Sequence, residues 1–154
     1  MTLPSISTPE FSTKIPSTGE EIKYRPFLVK EEKILLMAME GNDAKEITNA
    51  TLNILESCIL TPVDVRKLPM FDIEYLFLQL RGKSVGEMIT LYMTHPEGSC
   101  THRTEIQIKI DDIQVQGERA ETKVMLTDKI GVVLRYPLIS DVAVTNTDDT
   151  DTLF

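Results

Sequence analysis

The sequence contains few of the features that mark secreted, membrane or disulfide-bonded proteins. It has two cysteines, Cys58 and Cys100, and two histidines in 154 residues, which is too few for a disulfide framework. No apolar run approaches the roughly 20 residues that a membrane-spanning helix needs. The N-terminus lacks the basic and apolar regions of a signal peptide. We therefore expect a soluble protein of a reducing compartment, without membrane contact.

The chain also lacks the signatures of nucleic-acid binding, cofactor binding and catalysis. Its formal net charge is −8 and its basic residues are scattered, so it offers no basic patch for phosphates. No nucleophile elbow is present, and Gly-Lys-Ser-Val-Gly at 82–86 has neither the spacing nor the ending of a phosphate-binding loop. We expect no nucleic-acid partner and no cofactor, and we read residues 82–86 as a turn between a helix and a strand.

The first 42 residues predict a β-hairpin followed by an apolar helix. Pro-Ser-Thr-Gly at 16–19 is a turn sequence, and it joins predicted strands at 11–15 and 20–24. After Pro26, Lys-Glu-Glu at 30–32 places acidic side chains at the start of a helix. Residues 34–39 are apolar without interruption and Gly41-Asn42 ends the helix. A helix that is apolar all round must be covered on more than one side, by its own domain or by a partner.

Two further helices are predicted before the sequence pattern changes from helical to strand-like. The second covers residues 43–58, with Asn42 or Asp43 as its cap, and its apolar face is Ile47, Ala50, Ile54, Leu55 and Cys58. The third covers residues 71–80 and carries two apolar stripes. One stripe is Ile73, Leu76, Phe77 and Leu80, and the other is Phe71, Tyr75 and Leu78. The second stripe either lies inside the domain or docks another protein.

The second half predicts β-strands. Residues 88–94 are rich in β-formers and residues 104–110 alternate between polar and apolar. Residues 123–127 and 131–136 form two more predicted strands, and residues 111–117 are a candidate for another short one. Ile106, Ile108 and Ile110 should face the helices. The predicted fold class is α+β, with an N-terminal β-hairpin, about three helices and then a mainly antiparallel β-sheet, in one domain over residues 1–154.

One loop has residues with possible site chemistry. His95, Cys100 and His102 lie within eight residues, but a structural zinc site normally needs four ligands and only Cys58 offers another thiol. The alternative function is a small metal- or thiol-dependent enzyme that uses the His95–His102 loop, with Cys100, His102 and Asp111 or Asp112 as its candidate catalytic groups. Because nothing in the sequence would hold such groups in place, we expect an exposed hairpin loop, no metal and no enzyme activity.

The N-terminal hairpin and four further segments together resemble the baseplate hub subunit and assembly protein family of T4-like contractile-tailed bacteriophages. The four segments are Tyr-Arg-Pro-Phe at 24–27, the helix sequence at 28–36, Leu-Pro-Met-Phe-Asp-Ile-Glu-Tyr-Leu at 68–76 and Leu-Arg-Gly-Lys-Ser-Val-Gly-Glu at 80–87. The resemblance implies a non-enzymatic role in assembling the baseplate hub, as a hub component or an assembly chaperone. The implied partners are other hub proteins or the tape-measure protein, met in the host cytoplasm during assembly and in the virion tail.

The resemblance and the surplus of apolar residues together suggest where such partners bind. The predicted contact residues are Leu35, Leu36 and Met39 on the first helix and Phe71, Tyr75 and Leu78 on the third. Members of the family usually extend into further helices, so the resemblance implies a shortened or split member. Residues 145–154 fit either the start of a further helix or a disordered acidic tail.

Overall fold

The computed structural model describes residues 8–94, 103–117 and 122–141 of the chain. In chain order, two short strands precede three helices, and two further pairs of strands follow. The elements are β1 (Phe11–Lys14), β2 (Glu21–Tyr24), α1 (Val29–Glu40), α2 (Ala44–Cys58), α3 (Met70–Ser84), β3 (Met88–Thr94), β4 (Arg103–Lys109), β5 (Lys123–Met125) and β6 (Gly131–Val133). There are two 3₁₀ turns: one at Val65–Lys67, before α3, and one at Ile110–Asp112, directly after β4. This order confirms the predicted α+β class.

The N-terminal hairpin forms as predicted and is joined to the end of α2. β1 and β2 pair antiparallel, and Gly19 in their connecting turn has φ +75°, a conformation that glycine adopts without strain. Beyond β2, the Arg25 N–H donates to the Cys58 carbonyl at 3.0 Å, and the Leu60 N–H donates to the Lys23 carbonyl at 2.8 Å. These bonds fix the hairpin against the C-terminal end of α2.

The apolar core lies between the hairpin, α2 and α3. Ile15 and Ile22 supply its hairpin side, while α2 and α3 supply most of the rest. The buried core residues are Ile15, Ile22, Tyr24, Leu52, Ile54, Leu55, Cys58, Val65, Leu68, Ile73, Leu76 and Leu80. Of the apolar face predicted for α2, Ile47 is only half-buried, and Leu52 is a buried residue that the prediction omitted.

α2 begins as its sequence predicts. Asp43 is the N-cap, and its Oδ1 accepts a hydrogen bond from the Lys45 N–H at 2.8 Å. A cap of this type satisfies one of the backbone donors left free at the start of a helix. The preceding Asn42 has φ 51°, which turns the chain sharply between α1 and α2.

α3 is longer than predicted, because it continues through Gly82 to Ser84. Gly82 is buried, and a Cβ at this position would lie 3.2 Å from Cδ1 of Ile110. The glycine therefore allows close packing between the helix and the segment after β4, instead of ending the helix. The predicted turn at 82–86 is correspondingly shorter, since only Val85, Gly86 and Glu87 separate α3 from β3.

The start of α3 is tied to the N-terminal hairpin by a buried carboxylate. Oδ1 of Asp72 accepts a hydrogen bond from the Ser17 N–H at 3.0 Å, and its other oxygen accepts from the Ser17 hydroxyl. Asp72 is completely buried. Its charge also lies in the first turn of α3, where the helix dipole favours an anion.

The strands of the second half form separate antiparallel pairs. β3 pairs with β4 and β5 pairs with β6, and no hydrogen-bonded ladder joins the two pairs among the described residues. The strand considered for 111–117 is wrong, since a 3₁₀ turn and irregular chain occupy those positions. Ile110 is buried and Ile108 half-buried, but Ile106 is exposed, so only the end of β4 nearest the helices meets them.

The chain returns to the helices after β6. The Met70 N–H donates to the Pro137 carbonyl at 3.2 Å, and Pro69 forms an antiparallel bridge with Leu138. Ile139 packs against the core. Across the described ranges, no helix has the length and apolar character needed to cross a membrane.

Candidate functional site

α1 is attached to the rest of the fold by a narrow stripe. Within the helix only Glu31 is buried, while Leu35 and Ala38 are half-buried. These residues have the i, i+4, i+7 spacing that places side chains along one line of a helix. Every other residue of α1 is exposed. The helix therefore presents most of its circumference to the outside of the molecule.

An ion pair between Arg25 and Glu31 anchors this stripe. Oε1 of Glu31 accepts a hydrogen bond from Nη2 of Arg25 at 3.0 Å, and Oε2 accepts from the Leu28 N–H at 2.7 Å. The same Arg25 nitrogen donates to the Ser57 carbonyl at 3.1 Å. One guanidinium thus links the start of α1 to the end of α2.

The environment of Glu31 favours its charged form. Burial alone would raise the pKa of this carboxyl, but the hydrogen bonds from the Leu28 N–H and from Arg25 outweigh burial and lower the pKa below its ordinary value of 4.5. The side chain of Glu31 is 5% exposed and that of Arg25 is 16% exposed. The pair is therefore better shielded from water than an ordinary surface salt bridge.

Besides Val29 in its first turn, α1 carries four large apolar side chains that are each more than half exposed. They are Ile34 at 51%, Leu36 at 54%, Met37 at 61% and Met39 at 55%. We call these four residues the α1 face. Single exposed apolar residues are ordinary on a protein surface, but several on one short helix make that helix a candidate interaction site. Two of them, Leu36 and Met39, were predicted as contact residues.

The predicted contact residues do not include Ile34 and Met37, although the sequence pattern applies to them equally. All four residues belong to the uninterrupted apolar run at 34–39. The third predicted contact on this helix, Leu35, is half-buried and packs against the core. It therefore supports the helix from beneath.

The predicted contacts on α3 are all half-buried. Phe71 packs edge-on against the ring of Tyr136, with ring centroids 5.0 Å apart, and Tyr75 packs against the core. Leu78 lies on the same side of the helix. α1 and α3 both pack on α2, so the two predicted groups lie on the two neighbours of one central helix.

More apolar surface is exposed on the strand pairs. On β3 and β4 the exposed apolar residues are Met88, Leu91, Tyr92, Met93 and Ile106. Around β5 and β6 they are Val124, Met125, Leu126, Ile130, Val132, Val133 and Leu134. A two-stranded hairpin is marginally stable in water on its own. These hairpins thus add apolar surface that the described part of the fold leaves uncovered.

A groove of about 540 Å³ lies beside the start of α2. Its lining includes the apolar Leu52, Met70 and Ile139, the basic Lys45 and Arg66, and the acidic Asp43. Arg66 is already paired with Glu56 at 2.8 Å. The described residues that line it include no histidine or cysteine.

The described ranges contain no group of three or more His, Cys, Asp or Glu residues placed to hold a metal. Cys58 is buried in the core, and burial raises the pKa of its thiol, which makes the thiol a poor nucleophile. The predicted loop residues His95, Cys100 and His102 lie outside the described residues.

The described residues thus form a small α+β fold with an anchored helix whose outer side exposes apolar residues. A family model described as T4 bacteriophage base plate protein matches residues 8–154. The chain therefore belongs to this family and is a phage baseplate protein, as the four sequence segments indicated. No curated protein and no solved structure matches it.

Proposed function

We propose that this protein takes part in assembling the baseplate hub through protein–protein contacts, without catalysing a reaction. It acts as a hub component or as an assembly chaperone, and its partners are other hub proteins or the tape-measure protein. The α1 face carries this proposal, because it combines exposed apolar side chains with a helix whose position is fixed from beneath. Such a rigid face binds a partner with little ordering cost.

Charge supports a protein partner. The chain has a formal net charge of −8, which disfavours nucleic acid inside the tail as its target. The α1 face itself is uncharged, and charged residues such as Lys33 and Glu40 lie beside it. An apolar centre with a charged rim is the usual arrangement of a protein interface. We place the protein in the host cytoplasm during assembly and at the baseplate of the virion tail.

The test introduces charge into the α1 face without disturbing the fold. Leu36→Glu and Met39→Glu alter exposed positions, so each should change the free energy of unfolding by about 0.5 kcal/mol or less. Leu60→Glu is the matched control, because Leu60 is 47% exposed but lies outside α1. Leu78→Glu is a weaker test, since Leu78 is half-buried and its replacement also perturbs packing.

Phage carrying each variant gene would be scored for infectious particles and, by electron microscopy, for the stage at which tails stop. We expect the α1 variants to block assembly at the hub stage and the Leu60 variant to assemble normally. Folded α1 variants that give normal particle yields would disprove the proposed face. Mass spectrometry of purified virions separates the two roles, because a hub component remains in the particle and a chaperone does not.

A further inference from the structure

The β3–β4 hairpin has one apolar and one polar side. Its register places Ile89 opposite Ile108 and Leu91 opposite Ile106, while Thr90 lies opposite Gln107 and Tyr92 opposite Glu105. Because side chains of a strand alternate between faces, the isoleucines and Leu91 share one face. The other face of β4 carries Glu105, Gln107 and Lys109, all exposed.

The hydrogen bonds of the hairpin show which groups of β4 remain free. The Ile110 N–H donates to the Glu87 carbonyl at 2.8 Å, just past the end of the ladder. Hydrogen-bonded pairs alternate along antiparallel strands, so Ile108 and Ile106 also bond towards β3. The backbone groups of Glu105, Gln107 and Lys109 therefore point away from β3, along an edge that no other described strand covers.

We propose that this edge of β4 pairs with the same edge of a second copy of the chain, antiparallel and with Gln107 on the two-fold axis. In that register Glu105 lies opposite Lys109 of the second copy, and Lys109 opposite its Glu105. Ile106 lies opposite Ile108 of the second copy. The two-fold symmetry thus produces each ion pair twice, as an interface between identical surfaces requires.

The order of charges along β4 selects this register. A two-fold axis at Ile106 would place Arg103 opposite Lys109 of the second copy. An axis at Glu105 would place the two copies of Glu105 opposite each other. Each of these registers pairs like charges and is therefore repulsive. Lys109 is available for a new partner, because its present contact with Asp111 is 3.4 Å long and exposed. β4 carries two basic residues and one acidic residue, so the acidic surplus of the chain lies elsewhere.

Pairing also extends the apolar surface of the hairpin. It joins two hairpins into a four-stranded sheet in the order β3, β4, β4 and β3, which exceeds the three strands needed for independent stability. The isoleucines and Leu91 of both copies then line one continuous face. This interface uses neither α1 nor α3, so it is independent of the proposed function.

Charge reversal tests the register. Glu105→Lys places like charges opposite each other twice and should raise the dissociation constant of the dimer by roughly tenfold. Lys109→Glu should do the same, while the double variant Glu105→Lys with Lys109→Glu restores both pairs and the original constant. Glu20→Lys, at an exposed site in the N-terminal hairpin, makes the same charge change elsewhere and should leave dimerisation unaltered. Sedimentation equilibrium of the purified proteins measures these constants.

A cysteine on the axis tests the geometry. In a Cys100→Ser background, Gln107→Cys should form an intermolecular disulfide on mild oxidation, because paired Cα atoms in a ladder lie about 5.5 Å apart. Thr90→Cys is the matched control. Thr90 lies on β3 opposite Gln107 of the same copy, so in the dimer it is one strand further from the two-fold axis than Gln107. A protein that stays monomeric at high concentration overturns the proposal. So does a dimer that is indifferent to both charge reversals, or that forms the Thr90 disulfide as readily.

Discussion

Replacing Glu31 by alanine should destabilise the protein more than any other change to a charged residue of α1. The substitution removes the acceptor for the Leu28 N–H, and loss of such a cap costs about 0.5–2 kcal/mol. It also leaves the Arg25 guanidinium, 16% exposed, without its carboxylate. Breaking a fully buried ion pair costs about 3–5 kcal/mol, but Arg25 keeps the Pro26 and Ser57 carbonyls as acceptors. We therefore expect a total loss of about 3 kcal/mol.

Thermal unfolding followed by circular dichroism measures this loss. For a chain of this length each kcal/mol lowers Tm by about 2–4 °C, so Glu31→Ala should unfold about 6–12 °C earlier. Glu32→Ala is the control, because Glu32 is the adjacent glutamate and is exposed. Equal effects of the two substitutions would refute the anchoring role of Glu31. A double-mutant cycle with Arg25→Gln would then show no coupling between the two residues.

The same residue gives stability a defined pH dependence. The folded-state pKa of Glu31 lies below its ordinary value of 4.5, so the ionised pair contributes fully above about pH 4.5 and is lost as the pH falls through the folded-state pKa. The stability difference between the protein and Glu31→Gln should accordingly be constant near neutrality and shrink in acid. A difference that grew in acid would contradict this sign.

Three further substitutions or treatments test the packing of the fold. Asp72→Ala leaves the Ser17 N–H without an acceptor in a buried site and should cost about 3 kcal/mol in a denaturant titration, whereas Asp72→Asn should cost less. Leu76→Ala removes a buried core side chain and should cost about 2–5 kcal/mol by the same titration. In a Cys100→Ser background, the buried Cys58 thiol should resist iodoacetamide until the protein unfolds, and labelling at the native rate of a free thiol would show that the core is open.

Local sequence signals predicted several elements closely, because their causes are local. β3 spans the predicted residues 88–94, since a run of β-formers determines it. α2 starts at Asp43, one of the two predicted caps, because a capping side chain acts on backbone groups two residues away. The N-terminal hairpin likewise depends on a turn within it. The single domain over residues 1–154 remains a prediction.

The errors arose where distant residues decide the structure. Gly82 has a low helix propensity, but its contact with Ile110 is a tertiary effect that the sequence around the glycine does not show. Pairing between strands that are far apart depends on long-range geometry, so the sequence could not show that the strand pairs remain separate. The strand considered for residues 111–117 was wrong because whether such a segment joins a sheet also depends on long-range geometry.

The sequence predicted the helix that carries the candidate site, but it did not predict which side of that helix is exposed. An unbroken apolar run has no periodicity from which the covered side can be read, so the sequence did not show that Ile34 and Met37 are exposed. Glu31 was interpreted as a residue that complements the helix dipole. Its partner, Arg25, lies in the junction before the helix, and only the folded chain shows that the pair is buried.

The position of the core along the chain has a consequence for synthesis on the ribosome. Among the described residues, the main core cluster lies between Ile15 and Leu80, so the ribosome delivers this cluster before any residue of the later strand pairs. Chains fold from the N-terminus as they emerge, and we expect a fragment of residues 8–94 to keep a cooperative thermal transition. The nascent chain can then bury its aggregation-prone apolar segments while the later hairpins are still being translated.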